Sequence, residues 1–169
     1  HSPREVNASL APSMDIMISS NFERLLFDVF ERDSSKIREL MEKVTNSSIQ
    51  LSERSILSIR DNFWSYRCDD REIVSTIKSF YKKNNYLLDP HTAIGVSASI
   101  AYEDDTGTPI VTLSTAHPAK FPDVSKYTNL LTPELPEHLK SILLDEEYYS
   151  IVDNCQSKVE SFISMKLFA

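Results

Sequence analysis

Glycine is scarce in this sequence: Gly95 and Gly107 are the two in 169 residues, against a usual share of about 7%. A phosphate cradle brings successive backbone N–H groups close to an anion, which usually demands clustered glycines at a helix N-terminus. No such loop is written here. Cysteine is equally thin. Cys68 and Cys155 stand alone, without a CxxC pair or a neighbouring histidine pattern, so neither a zinc site nor a disulfide framework is indicated. Reduced thiols in a cytoplasmic setting are the plain reading. No apolar run approaches membrane-spanning length, and no basic block offsets a net charge of −7. Membranes and nucleic acid are therefore not expected as partners, since a phosphate backbone is bound first through bulk positive charge. The chain opens on His1-Ser2, a scar or processing point, and nothing in it reads as a targeting segment. Asn7-Ala8-Ser9 and Asn46-Ser47-Ser48 fit the glycosylation sequon, which has a consequence only in a secreted chain.

What is present is ordinary globular composition, 41% hydrophobic and 25% charged residues, enough for one domain with a real core. Residues 1–12 are irregular. Met14–Ile18 reads as a short extended piece. Ser20 and Glu23 have capping-box spacing, and Phe22, Leu25, Leu26, Val29 and Phe30 recur with helical period. The start of that helix favours an anion, with Arg24 one turn on. Alternatively Ser20 only caps and Arg24 pairs with Asp28. A second helix starts at Asp33 or Ser34 and shows Ile37, Leu40, Met41 and Val44 on one face. A third spans Leu51–Tyr66, where Trp64 is expected in the core. Asp69-Asp70 caps a fourth that continues to about Lys83, through Ile73, Ile77, Phe80 and Tyr81.

Pro90 breaks helical geometry at Asp89 and suits the first turn of a helix from Thr92 to about Tyr102. The small residues Ala93, Gly95, Ala98 and Ala101 let that helix approach a neighbour closely. Asp89 and His91 read as a structural hydrogen-bonded pair before a metal site, because no ligands share i, i+4 spacing. Glu103–Pro109 is a polar turn. It leads into Val111–Phe121, where an apolar run reads as a short buried strand that ends in Ser114, Thr115, His117, Pro118 and Lys120. Strand ends that become loops are where open α/β sheets keep their ligands. At such a place the Ser-Thr pair can offer a neutral hydroxyl to a ligand, His117 can donate or accept, and Lys120 adds a positive charge nearby; a satisfied turn closing a strand is the structural alternative. Residues 123–169 read as a helical tail, with helices at Glu137–Tyr149 and Ile151–Met165 after a Thr132–Pro136 linker, and with Asp145-Glu146-Glu147 as a solvated face.

Three ordered stretches resemble the threonine synthase family: Ser13-Met14-Asp15-Ile16 with Ser19-Ser20-Asn21-Phe22-Glu23-Arg24, then Tyr86–Gly95, then Ser114–Phe121. The likeness is to the fungal and bacterial branch of that pyridoxal-phosphate (PLP) family and to its vertebrate threonine synthase-like relatives. It runs from about Leu10 to Pro122. The resemblance implies an α/β fold of PLP fold type II, of which this chain is a mostly α-helical C-terminal part with one or two short strands. The cofactor lysine and the phosphate loop lie upstream of the matched segment. The whole of residues 1–169 then reads as one C-terminal segment, with 13–122 as the matched core and 123–169 as the tail.

The reaction so implied converts O-phospho-L-homoserine and water to L-threonine and phosphate, with PLP as the electron sink. By the same resemblance Thr115, then Ser114, meets the pyridine nitrogen of the cofactor. Ser20, Asn21, Arg24, His117 and Lys120 are the substrate-side candidates, none of them catalytic, and no metal is implied. The parent would be a monomer whose upstream portion supplies the other wall of the cleft. Two other readings stay open at this point: a non-catalytic interaction or regulatory fragment, and a phospho-lyase acting on related phosphorylated hydroxyamino acids.

Overall fold

The structure, a computed structural model, describes residues 5–102, 106–142 and 144–168. Seven α-helices appear among them: α1 (Ser20–Val29), α2 (Ser34–Asn46), α3 (Glu53–Arg60), α4 (Asp70–Asn84), α5 (Pro90–Ala101), α6 (Val124–Thr128) and α7 (Gln156–Phe168). Single 3-10 turns lie at Pro12–Met14, Pro118–Lys120 and Glu137–Leu139. Chain contacts divide it after Glu134 into two compact units. No helix among the described residues is long and apolar enough to cross a membrane.

The core that positions the site is built by α4 and α5. Ile73 and Ile77 of α4 meet Ala93 and Val96 of α5, closed by Ala11, Leu88 and Val124. Asp69 caps α4 by accepting from the Glu72 N–H at 2.9 Å, and Asn85 ends it in the left-handed conformation, φ 51°, which asparagine tolerates better than most residues. On the other side α1 packs on α2. Asp33 caps α2 through the N–H groups of Ser35 and Lys36, both at 3.1 Å.

The mostly helical architecture agrees with the sequence, while several elements differ. No strand occurs among the described residues. Residues 110–115 instead run beside α5 in the opposite direction: Thr112 meets Ser99, hydroxyl to hydroxyl at 2.6 Å, and Thr115 meets Thr92. Three residues there match seven of helix, roughly 10 Å, which is the rise of a near-extended backbone. A ladder also needs a second backbone about 4.8 Å away, and the described residues supply none. Val111 and Leu113 are accordingly 79% and 77% exposed.

Pro12–Met14 forms a 3-10 turn where an extended piece was expected from residue 14. α3 stops at Arg60, and Trp64 is not core. It lies half exposed, stacked on Tyr66 at 5.6 Å and edge-on to Tyr102 at 5.2 Å. The helix expected over Glu137–Tyr149 is reduced to one 3-10 turn. Its apolar residues Ile142, Leu144 and Tyr148 stay exposed, and a short helix without a packing face does not recover its nucleation cost. Of the Glu103–Pro109 turn, residues 103–105 lie outside the described residues.

Candidate functional site

Asp89 organises the site. Its side chain is buried, 1% exposed, and caps α5 by accepting from the N–H groups of His91 at 2.9 Å and Thr92 at 3.3 Å. Pro90 at the first helical position has no N–H to satisfy, so the cap leaves no orphan there. The Thr92 hydroxyl donates to the second carboxylate oxygen. His91 completes the set. Its Nε2 accepts the backbone N–H of Ser13 at 3.1 Å, which leaves the ring proton on Nδ1, 3.2 Å from the carboxylate. Four donors thus converge on one carboxylate, which has acceptor sites for all of them.

The next link leaves the helix. Thr115 N–H donates to Thr92 Oγ1 at 3.0 Å, and the two threonine hydroxyls stand 3.2 Å apart. A hydroxyl carries one proton, and that of Thr92 is committed to Asp89, so the proton between the threonines belongs to Thr115. Ser114, beside it, is exposed and makes no hydrogen bond among the described residues. It faces an open groove of about 750 Å³ between α4, α5 and residues 110–114, lined in part by Phe80, Lys83, Ser99 and Thr112. His117 caps the 118–120 turn by accepting the Ala119 N–H on Nδ1 at 3.2 Å, so its Nε2 carries the proton outward. Lys120 is exposed, its ammonium 5.9 Å from the Phe121 ring centre, and that ring packs 4.6 Å from the His91 ring.

The structure therefore gathers Ser13, the Asp89–Thr92 turn and the Thr115–Phe121 stretch into one connected assembly. Ser20, Asn21 and Arg24 are not part of it. Ser20 is the first residue of α1 behind Ser19 and makes no capping bond, so no capping box forms. Asp28 pairs with Arg32 at 3.0 Å, and not with Arg24. Ser20 and Arg24 line a separate hollow between α1 and α2. Neither thiol joins the site: burial first of all pushes the Cys68 thiol up, and the Ser157 hydroxyl leads in holding the exposed Cys155 thiol down. Sequence reasoning missed Thr92. Its place three positions after a capping aspartate was the available signal, but its bond to Thr115, 23 positions on, left no trace in spacing.

The family described as "Threonine synthase, C-terminal" matches residues 92–163. Threonine synthase of Pseudomonas aeruginosa is 39% identical over 161 residues, covering 94% of this chain and 34% of that protein. The chain belongs to the threonine synthase family, matching its C-terminal portion. Human threonine synthase-like 1 is 31% identical over 119 residues, 70% of this chain and 16% of its own length. The crystal structure of PLP-bound threonine synthase from Brucella melitensis superposes with a TM-score of 0.77 at 39% identity, over 99% of this chain and 36% of that one. The chain thus spans about a third of the length of the bacterial threonine synthases it matches.

The residues present fit one end of PLP and not the other. The Ser114 hydroxyl at a groove with apolar walls, with that of Thr115 adjacent in the chain, suits the polar edge of a pyridine ring. The phosphate end finds no cradle here. Gly95 sits inside α5 against Thr112, and Gly107 stands in open space.

Proposed function

We propose that this chain is one wall of a PLP-dependent threonine synthase, acting on O-phospho-L-homoserine and water to give L-threonine and phosphate, and inactive without the upstream two thirds. The observation that carries this reading is the adjacent hydroxyls of Ser114, which opens on the groove, and Thr115, which is anchored by Thr92. The matched share of the relatives supports the rest. When bound, PLP supplies an electron-withdrawing ring that makes carbon acids of its substrate. The chain's own residues orient and discriminate. Thr115, with Ser114 beside it, holds the ring-nitrogen edge. His117, with its proton outward, and Lys120 meet the anionic ends of the substrate, where a charge-assisted bond is the stronger kind. Ser20, Asn21 and Arg24 form a second substrate-side set on α1, reached only when the upstream portion lies against both grooves.

The test compares this chain with a full-length protein containing it. The full-length protein, loaded with PLP, should release phosphate from O-phospho-L-homoserine, and this chain with PLP should release none. A loaded full-length protein that leaves this substrate intact would sink the proposal. Turnover by residues 1–169 alone would refute the inactivity.

A further inference from the structure

Helical spacing offers Asp28 two partners, Arg24 four residues before it and Arg32 four residues after. An acid placed ahead of its base at i, i+4 is the better order, because it runs with the helix dipole. Asp28 is paired accordingly. It holds the Arg32 guanidinium at 3.0 Å, and Arg24 makes no ion pair among the described residues.

The turn after α1 makes that pairing. Glu31 and Arg32 both have left-handed backbones, φ 57° and 63°, where a glycine would carry no steric penalty. The Arg32 N–H donates to the Phe27 carbonyl at 2.8 Å, which folds residue 32 back over the last turn of α1. A long cationic side chain thus stands where the backbone alone favours glycine, and it reaches Asp28. Arg24, Asp28 and Arg32 line one hollow of about 580 Å³ together with Ser20 and Glu23. Two guanidinium groups balance two carboxylates there. Without Arg32 the balance turns negative, and Asp28 is left with Arg24 as its one helical partner.

We propose that Arg32 is a positioning residue: by holding Asp28 it keeps Arg24 unpaired and the hollow neutral, so that Arg24 can meet an anionic end of the substrate. This rests on the reading that Arg24 lies on the substrate side. The pair is exposed on both sides, so it adds little to folding. Its effect falls on binding, because an anion approaching Arg24 would otherwise have to displace the Asp28 carboxylate and then be repelled by it.

The experiment has two arms. In full-length protein loaded with PLP, Arg32→Ala should raise the KM for O-phospho-L-homoserine about two- to fivefold, the range of an exposed ion pair, and leave kcat and the melting temperature in place. Arg32→Lys keeps the charge and should keep most of the affinity. Adding Asp28→Asn to Arg32→Ala should bring KM back, a rescue that a merely structural Arg32 would not show. In residues 1–169, NMR of the Arg24 guanidinium Nε–H reads the pairing without any turnover. Its signal should move in Arg32→Ala and return in the double variant.

An Arg24 signal that is the same in Arg32→Ala as in the unchanged chain overturns the inference, whatever the enzyme does. So does a KM that Arg32→Ala leaves alone while Arg24→Ala raises it, since Arg24 then meets substrate and Asp28 does not compete. If Arg24→Ala also leaves KM alone, the substrate-side reading of Arg24 fails and takes the inference with it. A full-length protein inactive on O-phospho-L-homoserine sinks the proposed reaction instead, and the Arg24 signal alone then decides the pairing.

Discussion

The backbone N–H of Ser13 donates to His91 Nε2 over 3.1 Å, joining residues 78 positions apart. The bond does more than tie down an N-terminal segment. It forces the ring proton onto Nδ1, where it faces Asp89, so an irregular segment near the chain's start helps fill the carboxylate that orders Thr92. The segment is itself braced, with Asp15 accepting from the Ser9 amide and hydroxyl at 2.7 and 2.8 Å and Ala11 fully buried in the core.

His91→Phe keeps the ring against Phe121 and removes both hydrogen bonds. One of them reaches a buried carboxylate, so the unfolding free energy should fall by about 2–3 kcal/mol. Urea melts of residues 1–169 measure it. A change under about 0.5 kcal/mol would mean that ring packing alone holds this corner.

A Cβ placed on Gly95 would stand 3.0 Å from the Thr112 methyl. Gly95→Ala gains about 1 kcal/mol of helix propensity and asks only a small shift of one methyl, so it should be near neutral. Gly95→Val adds two more carbons against the same backbone and should cost about 1–3 kcal/mol. Hydrogen exchange gives the specific readout. The Thr115 amide, bound to Thr92, should lose protection in Val and keep it in Ala.

How much of this was legible depends on sequence distance. α2 and α4 could be read because Asp33 and Asp69 sit immediately before periodic runs, and a cap and its face are local properties; α5 was read from the Pro90 break and starts two residues earlier than expected, with Asp89 as its cap. Gly95 among small residues announced a close approach, though not that Thr112 would be the neighbour. Residues 110–115 read as a strand because an apolar run records burial of some kind, while strand pairing belongs to a second backbone. Glu137–Tyr149 read as a helix because its composition permits one, and only packing decides whether it forms. The Asp89–Thr92–Thr115 chain was invisible, because each hydroxyl is common and only the fold sets them in line.

Asp33 gives a pH prediction. The Lys36 amide first, with the Lys36 ammonium and the Ser35 amide, holds its carboxyl below the usual range. The unfolded chain therefore takes up that proton at a higher pH than the folded one, and stability rises with pH across the interval. The contribution is whole above the ordinary value near 3.8 and is lost as pH falls through the lower folded value. Asp33→Asn keeps an acceptor for the cap without the charge. Its thermal melting temperature should decline less steeply than that of the unchanged chain below about pH 4. Parallel acid limbs would show that α2 does not sense the carboxylate.

Thr115 separates structure from function most sharply. In residues 1–169 its side chain is exposed and its hydroxyl makes one bond, to Thr92, while the amide bond to the same oxygen survives any side-chain change. Thr115→Val should therefore cost less than about 1 kcal/mol of stability. In full-length protein the same change removes the hydroxyl proposed to meet the ring nitrogen, where a lost hydrogen bond in a desolvated place costs about 1–3 kcal/mol, or roughly a five- to hundred-fold fall in turnover. Thr115→Ser keeps the hydroxyl and should retain most of the activity. Turnover counted per bound PLP, beside urea melts of both variants, distinguishes the roles. A Val variant that melts early yet turns over normally would make Thr115 a closing bolt for residues 110–115 and leave Ser114 to meet the ring.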